Sequence, residues 1–156
     1  MIIETDAADY AALLDGRAPR GLTLADSPIA PPEILQMLAG LAERVSATFA
    51  PASWLIVEDG AVVGLCSITR PPEGGNIDIG YGIAPDRQRR GSATQAIGSV
   101  VEWARAAPNV TAITAETALD NAASQRVLER NGFERVGERF DAEDGQLICW
   151  HCLVAE

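Results

Sequence analysis

The sequence predicts a single α/β domain over residues 1–156, of the α+β kind in which strand directions mix, built on one central sheet. Three observations predict it. A chain of 156 residues is one domain long and can bury roughly 70% of its unfolded surface without a disulfide or metal staple. With 47% apolar and 22% charged residues, its hydrophobic period switches repeatedly between helical and alternating spacing. A strand–helix–strand run across residues 76–117 requires a right-handed crossover between parallel strands, while hairpins on either side make the sheet mixed.

Taken in order, residues 2–5 read as a short strand and residues 6–14 as a helix. Residues 16–32 hold Pro19, Pro28, Pro31 and Pro32 and read as an irregular loop. Pro32 suits the first turn of a helix over residues 32–48, whose apolar Ile34, Leu35, Leu38, Leu41, Ala42 and Val45 recur at helical spacing. Residues 54–58 and 61–69 flank Asp59-Gly60, a tight hairpin turn. Residues 71–75 turn the chain into a strand over 76–83, which Pro85 ends. From Ala93 the apolar residues Ala93, Ala96, Ile97, Val100, Val101 and Ala104 form one helical stripe, small enough to lie close to a sheet. Residues 110–117 are rich in β-branched side chains and read as a strand. A helix over 121–131 ends at Gly132, a glycine C-cap with Phe133 as the trailing apolar contact. Residues 133–141 and 146–154 close the chain as a second hairpin.

Charge narrows the function classes. Asp plus Glu number 22 against 12 basic residues, a net −10 that repels nucleic-acid phosphates. All 12 basic residues are arginine, which excludes lysine Schiff bases and the lysine-bearing phosphate loop. No run approaches the roughly 20 apolar residues of a membrane span, so no membrane partner is expected. The acidic start MIIETDAADY lacks a signal peptide's pattern, and with three cysteines it points to a reducing cytoplasm.

Against this acidic background Arg87, Arg89 and Arg90 crowd together. They lie where a strand ends, the chain turns through Gly91 and a helix begins. Successive backbone N–H groups and the helix dipole make such a junction an anion site. Only one glycine of a dinucleotide fingerprint is present.

Gln88-Arg89-Arg90-Gly91-Ser92-Ala93 resembles the (Gln/Arg)-x-x-Gly-x-(Gly/Ala) motif of the GNAT acetyltransferase superfamily. Asn121-Ala-Ala-Ser124, continuing to Leu128 and Gly132-Phe133, resembles that family's Asn-x-x-Ser…Leu-x-x-x-Gly-Phe block, most of all in the branch of ribosomal-protein N-terminal acetyltransferases. The likeness covers residues 54–154 well and 1–50 loosely. It implies a GNAT fold: a mixed, mostly antiparallel central sheet, helices on both faces, and a splayed parallel strand pair that admits the cofactor. It implies acetyl-CoA as co-substrate, with the backbone of Tyr81, Gly82 and Ile83 bonding the pantetheine arm. The N–H groups of Arg89, Arg90, Gly91, Ser92, Ala93 and Thr94 would hold the pyrophosphate, and Asn121 would reach the pantetheine or acetyl end.

The implied reaction is direct acetyl transfer to a primary amine in a ternary complex. An alkyl amine is neutral in about one molecule in 2,500 at pH 7, so stripping its proton is worth about 4.6 kcal/mol and calls for a base. The resemblance points to Glu116, five residues before Asn121; Asp78 on the preceding strand is the rival. Many family members carry a tyrosine acid seven residues after the motif asparagine, where this chain has Leu128. Ser124 is the substitute the ribosomal-protein branch suggests, with Tyr81 a weaker option. Two other readings stay open: a small-molecule amine acetyltransferase of the polyamine or aminoglycoside kind, and a catalytically silent acyl-CoA-binding or sensing module. The net charge favours a cationic acceptor. The acceptor's identity and the oligomeric state, a homodimer included, are not legible.

Cys149 and Cys152 have the spacing of a redox or zinc pair, with Cys66 a third thiol and His151 the sole histidine. They lie in an alternating run, where positions three apart face opposite sides, so they read as core strand and no metal is expected.

Overall fold

A capping box opens the first helix of this computed structural model, which describes residues 1–155. The Asp6 carboxylate accepts the Asp9 N–H, and the Asp9 carboxylate accepts the Asp6 N–H, ending β1 (Ile2–Glu4) and starting α1 (Ala7–Leu14). There follow β2 (Thr23–Leu24), α2 (Pro32–Ser46), β3 (Ser53–Glu58), β4 (Ala61–Ile68), β5 (Asn76–Ile83), α3 (Ser92–Ala106), β6 (Ala112–Ala118), α4 (Ala122–Arg130), β7 (Glu134–Asp141) and β8 (Gly145–Leu153).

The predicted order holds with one addition. Thr23 and Leu24, inside the stretch read as loop, pair in parallel with Ala61 and Val62, and two residues are too few to show a period. Two bounds also move by two residues. The strand expected from residue 110 begins at Ala112, because the Gly75 carbonyl takes the N–H groups of Thr111 and Ala112. The helix expected to reach residue 48 stops at Ser46.

The sheet runs β1-β3-β4-β5-β6-β8-β7, with β2 beside β4. Only β5–β6 and β2–β4 are parallel. Helices cover both faces. Adjacent residues of a strand point to opposite sides. Ser53 Oγ meets the Tyr10 hydroxyl of α1 at 2.6 Å, while Trp54 packs edge-on against Trp103 of α3, ring centroids 5.2 Å apart. Every residue of β4 is accordingly buried. The predicted α3 stripe faces inward, with Ala96, Ile97, Val100, Val101 and Ala104 buried. Fully burying a side chain such as Ile97 is worth roughly 1.5–3 kcal/mol.

Two features position the site. Parallel pairing of β5 with β6 runs from Asn76–Ala112 to Ile79–Ala115 and stops. Beyond it Gly80 to Ile83 stay with β4 and Glu116 to Ala118 stay with β8, so the pair splays. At its other end α4 closes as expected: Gly132 takes φ 84°, its N–H donates to Glu129, and the Phe133 N–H donates to Leu128 at 3.0 Å. Leu128 and Phe133 are both buried, which fixes α4 beside the splay. Among the described residues no helix is long and apolar enough to cross a membrane.

Candidate functional site

A groove of about 530 Å³ opens where β5 ends, bounded by the turn after it, the start of α3 and one side of α4. Two left-handed residues, Arg89 (φ 67°) and Gly91 (φ 80°), curl the backbone before α3. Gly91 is the N-cap and offers no side chain to the helix end, so the N–H groups of Ser92, Ala93 and Thr94 keep no intrahelical acceptor. Such a concavity at the positive end of a helix dipole suits an anion.

Side chains around the turn hold it in shape. Gln88 Nε2 donates to the Ile83 carbonyl at 3.0 Å, tying the turn to β5. The Ser92 hydroxyl donates to Glu58, and Asp86 accepts from the Asp26 N–H and the Ser27 hydroxyl.

Ten sequence-predicted residues line this one groove: Tyr81, Gly82, Ile83, Arg89, Gly91, Ser92, Ala93, Thr94, Asn121 and Ser124. Arg90 and Glu116 do not line it. The Tyr81 and Ser124 hydroxyls, named separately from the sequence, lie 2.8 Å apart and form one hydrogen-bonded pair. Burial pushes the Tyr81 phenol up to about 12, so it stays protonated and able to donate. Asn121 caps α4, its Oδ1 accepting the Ser124 N–H at 3.1 Å. Leu128 is wholly buried and supplies only packing.

Glu116 stands on the opposite face of the sheet from the Tyr81 side chain. Register places Asp78, Thr114, Glu116, Cys149 and His151 on that face. Asp78 is buried, with Thr69 donating to one carboxylate oxygen at 2.5 Å and Thr114 to the other at 2.6 Å. Glu116 is held bidentately by Arg139, through Nε to Oε2 and through Nη2 to Oε1 at 2.8 Å. Those bonds hold its carboxyl below the usual glutamate value. The thiols lean the other way: burial pushes Cys66 up to about 12, and burial followed by the Glu116 charge raises Cys149. Cys149 and Cys152 lie on β8, as the alternation predicts, and all three cysteines are free.

Three contributors were missed. Arg126 and Arg130 line the groove from α4, and Arg139 clamps Glu116. The first two left a trace, since they stand four apart inside the Asn121–Gly132 block and share a helix face. Arg139 left none, because its partner is distant in sequence.

Comparison with known proteins matches this geometry. The acetyltransferase (GNAT) domain family model covers residues 2–134. The uncharacterized N-acetyltransferase YjdG of Bacillus subtilis is 34% identical over 84 residues, 52% of this chain and 50% of that protein. The chain thus spans about half the length of that relative. Among solved structures, the aminoglycoside acetyltransferase AAC(6')-Ib bound to ribostamycin and coenzyme A superposes with TM-score 0.69 at 16% identity, covering 98% of this chain and 92% of that one. Spermidine N-acetyltransferase SpeG of Vibrio cholerae gives TM-score 0.69 at 16% identity, covering 99% and 95%. With its splayed parallel pair, its anion turn before α3 and a family match over most of its length, the chain belongs to the GNAT acetyltransferase family.

Proposed function

We propose that this protein moves an acetyl group from acetyl-CoA to a primary amine on a small cationic molecule, by direct transfer in a ternary complex. One observation carries the reading: a single groove joins the anion turn at Arg89–Thr94 to the strand edge that the splay leaves open at Tyr81–Ile83. The turn and its arginines suit a pyrophosphate. The open edge suits an extended arm bearing amides. Fold neighbours that act on aminoglycosides and spermidine support the small-molecule acceptor over a ribosomal-protein N-terminus.

The chain's own groups divide the work. Tyr81, hydrogen-bonded to Ser124, faces the leaving sulfur. Its phenol at about 12 is a weaker acid than a thiol near 8.5, so full proton transfer would run uphill. The pair therefore stabilises the developing thiolate with a hydrogen bond. On the acceptor side Glu116, working through water, takes the amine proton, and Asp78 adds negative charge that attracts a cationic acceptor. Cys66 and Cys149 stay as thiols, which argues against an acyl-enzyme.

The test is thiol release from acetyl-CoA with polyamines, aminoglycosides and peptides offered in turn. Turnover with a polyamine or aminoglycoside supports the proposal. Turnover with peptides alone restores the N-terminal acetyltransferase reading. Tight CoA binding with no turnover on any acceptor makes the protein a silent acyl-CoA module.

A further inference from the structure

Seven of the twelve arginines are ion-paired with carboxylates in the structure. Among the described residues Arg44, Arg89, Arg90, Arg126 and Arg130 form no such pair, although acids outnumber bases by ten. Three of these five line the same groove: Arg89 from the turn, Arg126 and Arg130 from α4.

The α4 pair has no evident structural purpose. Both side chains are exposed, and their four-residue spacing sets like charges side by side on a helix, which is unfavourable without a counter-ion. Arg130 lies in the last turn, where the helix dipole favours a cation. Arg126 lies mid-helix and gains nothing there.

The turn before α3 already meets a pyrophosphate with backbone N–H groups and Arg89. The arginines of α4 stand on the groove's other wall. Coenzyme A carries one further phosphate, on the 3′ oxygen of its ribose, with close to two negative charges at neutral pH. We propose that Arg126 and Arg130 form a second phosphate subsite that holds this 3′-phosphate and selects CoA over its 3′-dephosphorylated form. The inference rests on the groove being the CoA site. Two guanidiniums one turn apart bracket a phosphate monoester from two sides, the geometry for which arginine is suited.

The experiment measures Kd by calorimetry for CoA and for dephospho-CoA, on the wild type and on Arg126→Gln/Arg130→Gln. The wild type is expected to bind CoA at least tenfold more tightly, a difference of about 1.4 kcal/mol. The double variant is expected to bind both alike, at the wild-type Kd for dephospho-CoA. Arg44→Gln, which removes an unpaired charge outside the groove, is expected to keep the full preference, separating a local contact from net charge. Equal wild-type affinities, or a preference that survives the double substitution, would overturn the subsite while leaving the groove as the CoA site. Failure of both ligands to bind the wild type would overturn the CoA reading itself.

Discussion

Replacing Gly91 with glutamate separates backbone strain from charge at the anion turn. Gly91 holds φ 80°, and a Cβ built there meets nothing within 4 Å, so the substitution brings no clash. A left-handed φ costs an L-residue about 1–2 kcal/mol. For a domain this size that lowers Tm by about 2–8 °C. Gly91→Ala carries the same strain and no charge, so both variants will lose similar stability without ligand. Acetyl-CoA at 100 times its Kd adds about 2.7 kcal/mol to the wild type, a Tm rise of about 5–11 °C. A carboxylate about 5 Å from one phosphate charge at an effective dielectric of 20 is repelled by about 3 kcal/mol. That is more than a hundredfold in affinity, and halving it for solvent screening still leaves roughly tenfold. At the same ligand concentration Gly91→Glu will therefore lose from about half to nearly all of the thermal shift, while Gly91→Ala keeps most of it. The assay is a thermal melt with and without acetyl-CoA. A folded Gly91→Glu protein with the wild-type shift would refute the placement of the pyrophosphate.

Four further outcomes follow from the same geometry. Glu116→Gln will keep acetyl-CoA affinity and lower kcat by about 10²–10⁴, the range for a lost general base, with recovery as rising pH frees the amine; an unchanged kcat beside a large loss in Asp78→Asn would move the base to β5. Arg139→Gln will release the Glu116 carboxyl upward, so the acid limb of the kcat/KM profile will move to higher pH; a stationary limb separates Glu116 from that ionisation. The stability that the Arg139 pair lends through Glu116 is present above the ordinary glutamate value and is lost as pH falls through the depressed one, so the variant's deficit in denaturant melts will shrink in acid. Thr117→Val will strand the buried Trp150 indole N–H, which now donates to Thr117 Oγ1 at 2.9 Å, at a cost of about 1–3 kcal/mol; a Tm within 1 °C of wild type, against an expected fall of at least about 2 °C, would show that the indole finds another acceptor.

How much of this was legible follows from the range of each interaction. Every α-helix and every strand but β2 was read from local spacing and turn residues, signals that survive in sequence. The Gly132 cap was legible for the same local reason, since its hydrogen bonds span five residues or fewer. The turn before α3 was legible because Gly91 marks its left-handed position. The sequence by itself therefore determined the order of elements, the crossover and the left-handed turn before α3. Tertiary structure alone decided what meets across the sheet: β2 against β4, Tyr81 against Ser124, Arg139 over Glu116, and Arg126 and Arg130 facing the turn. Those partners come from separate elements, and an exposed arginine satisfied by water carries no pattern that predicts its partner. Its neighbour is fixed only when packing brings the elements together, which is why the electrostatics of the site waited for the fold.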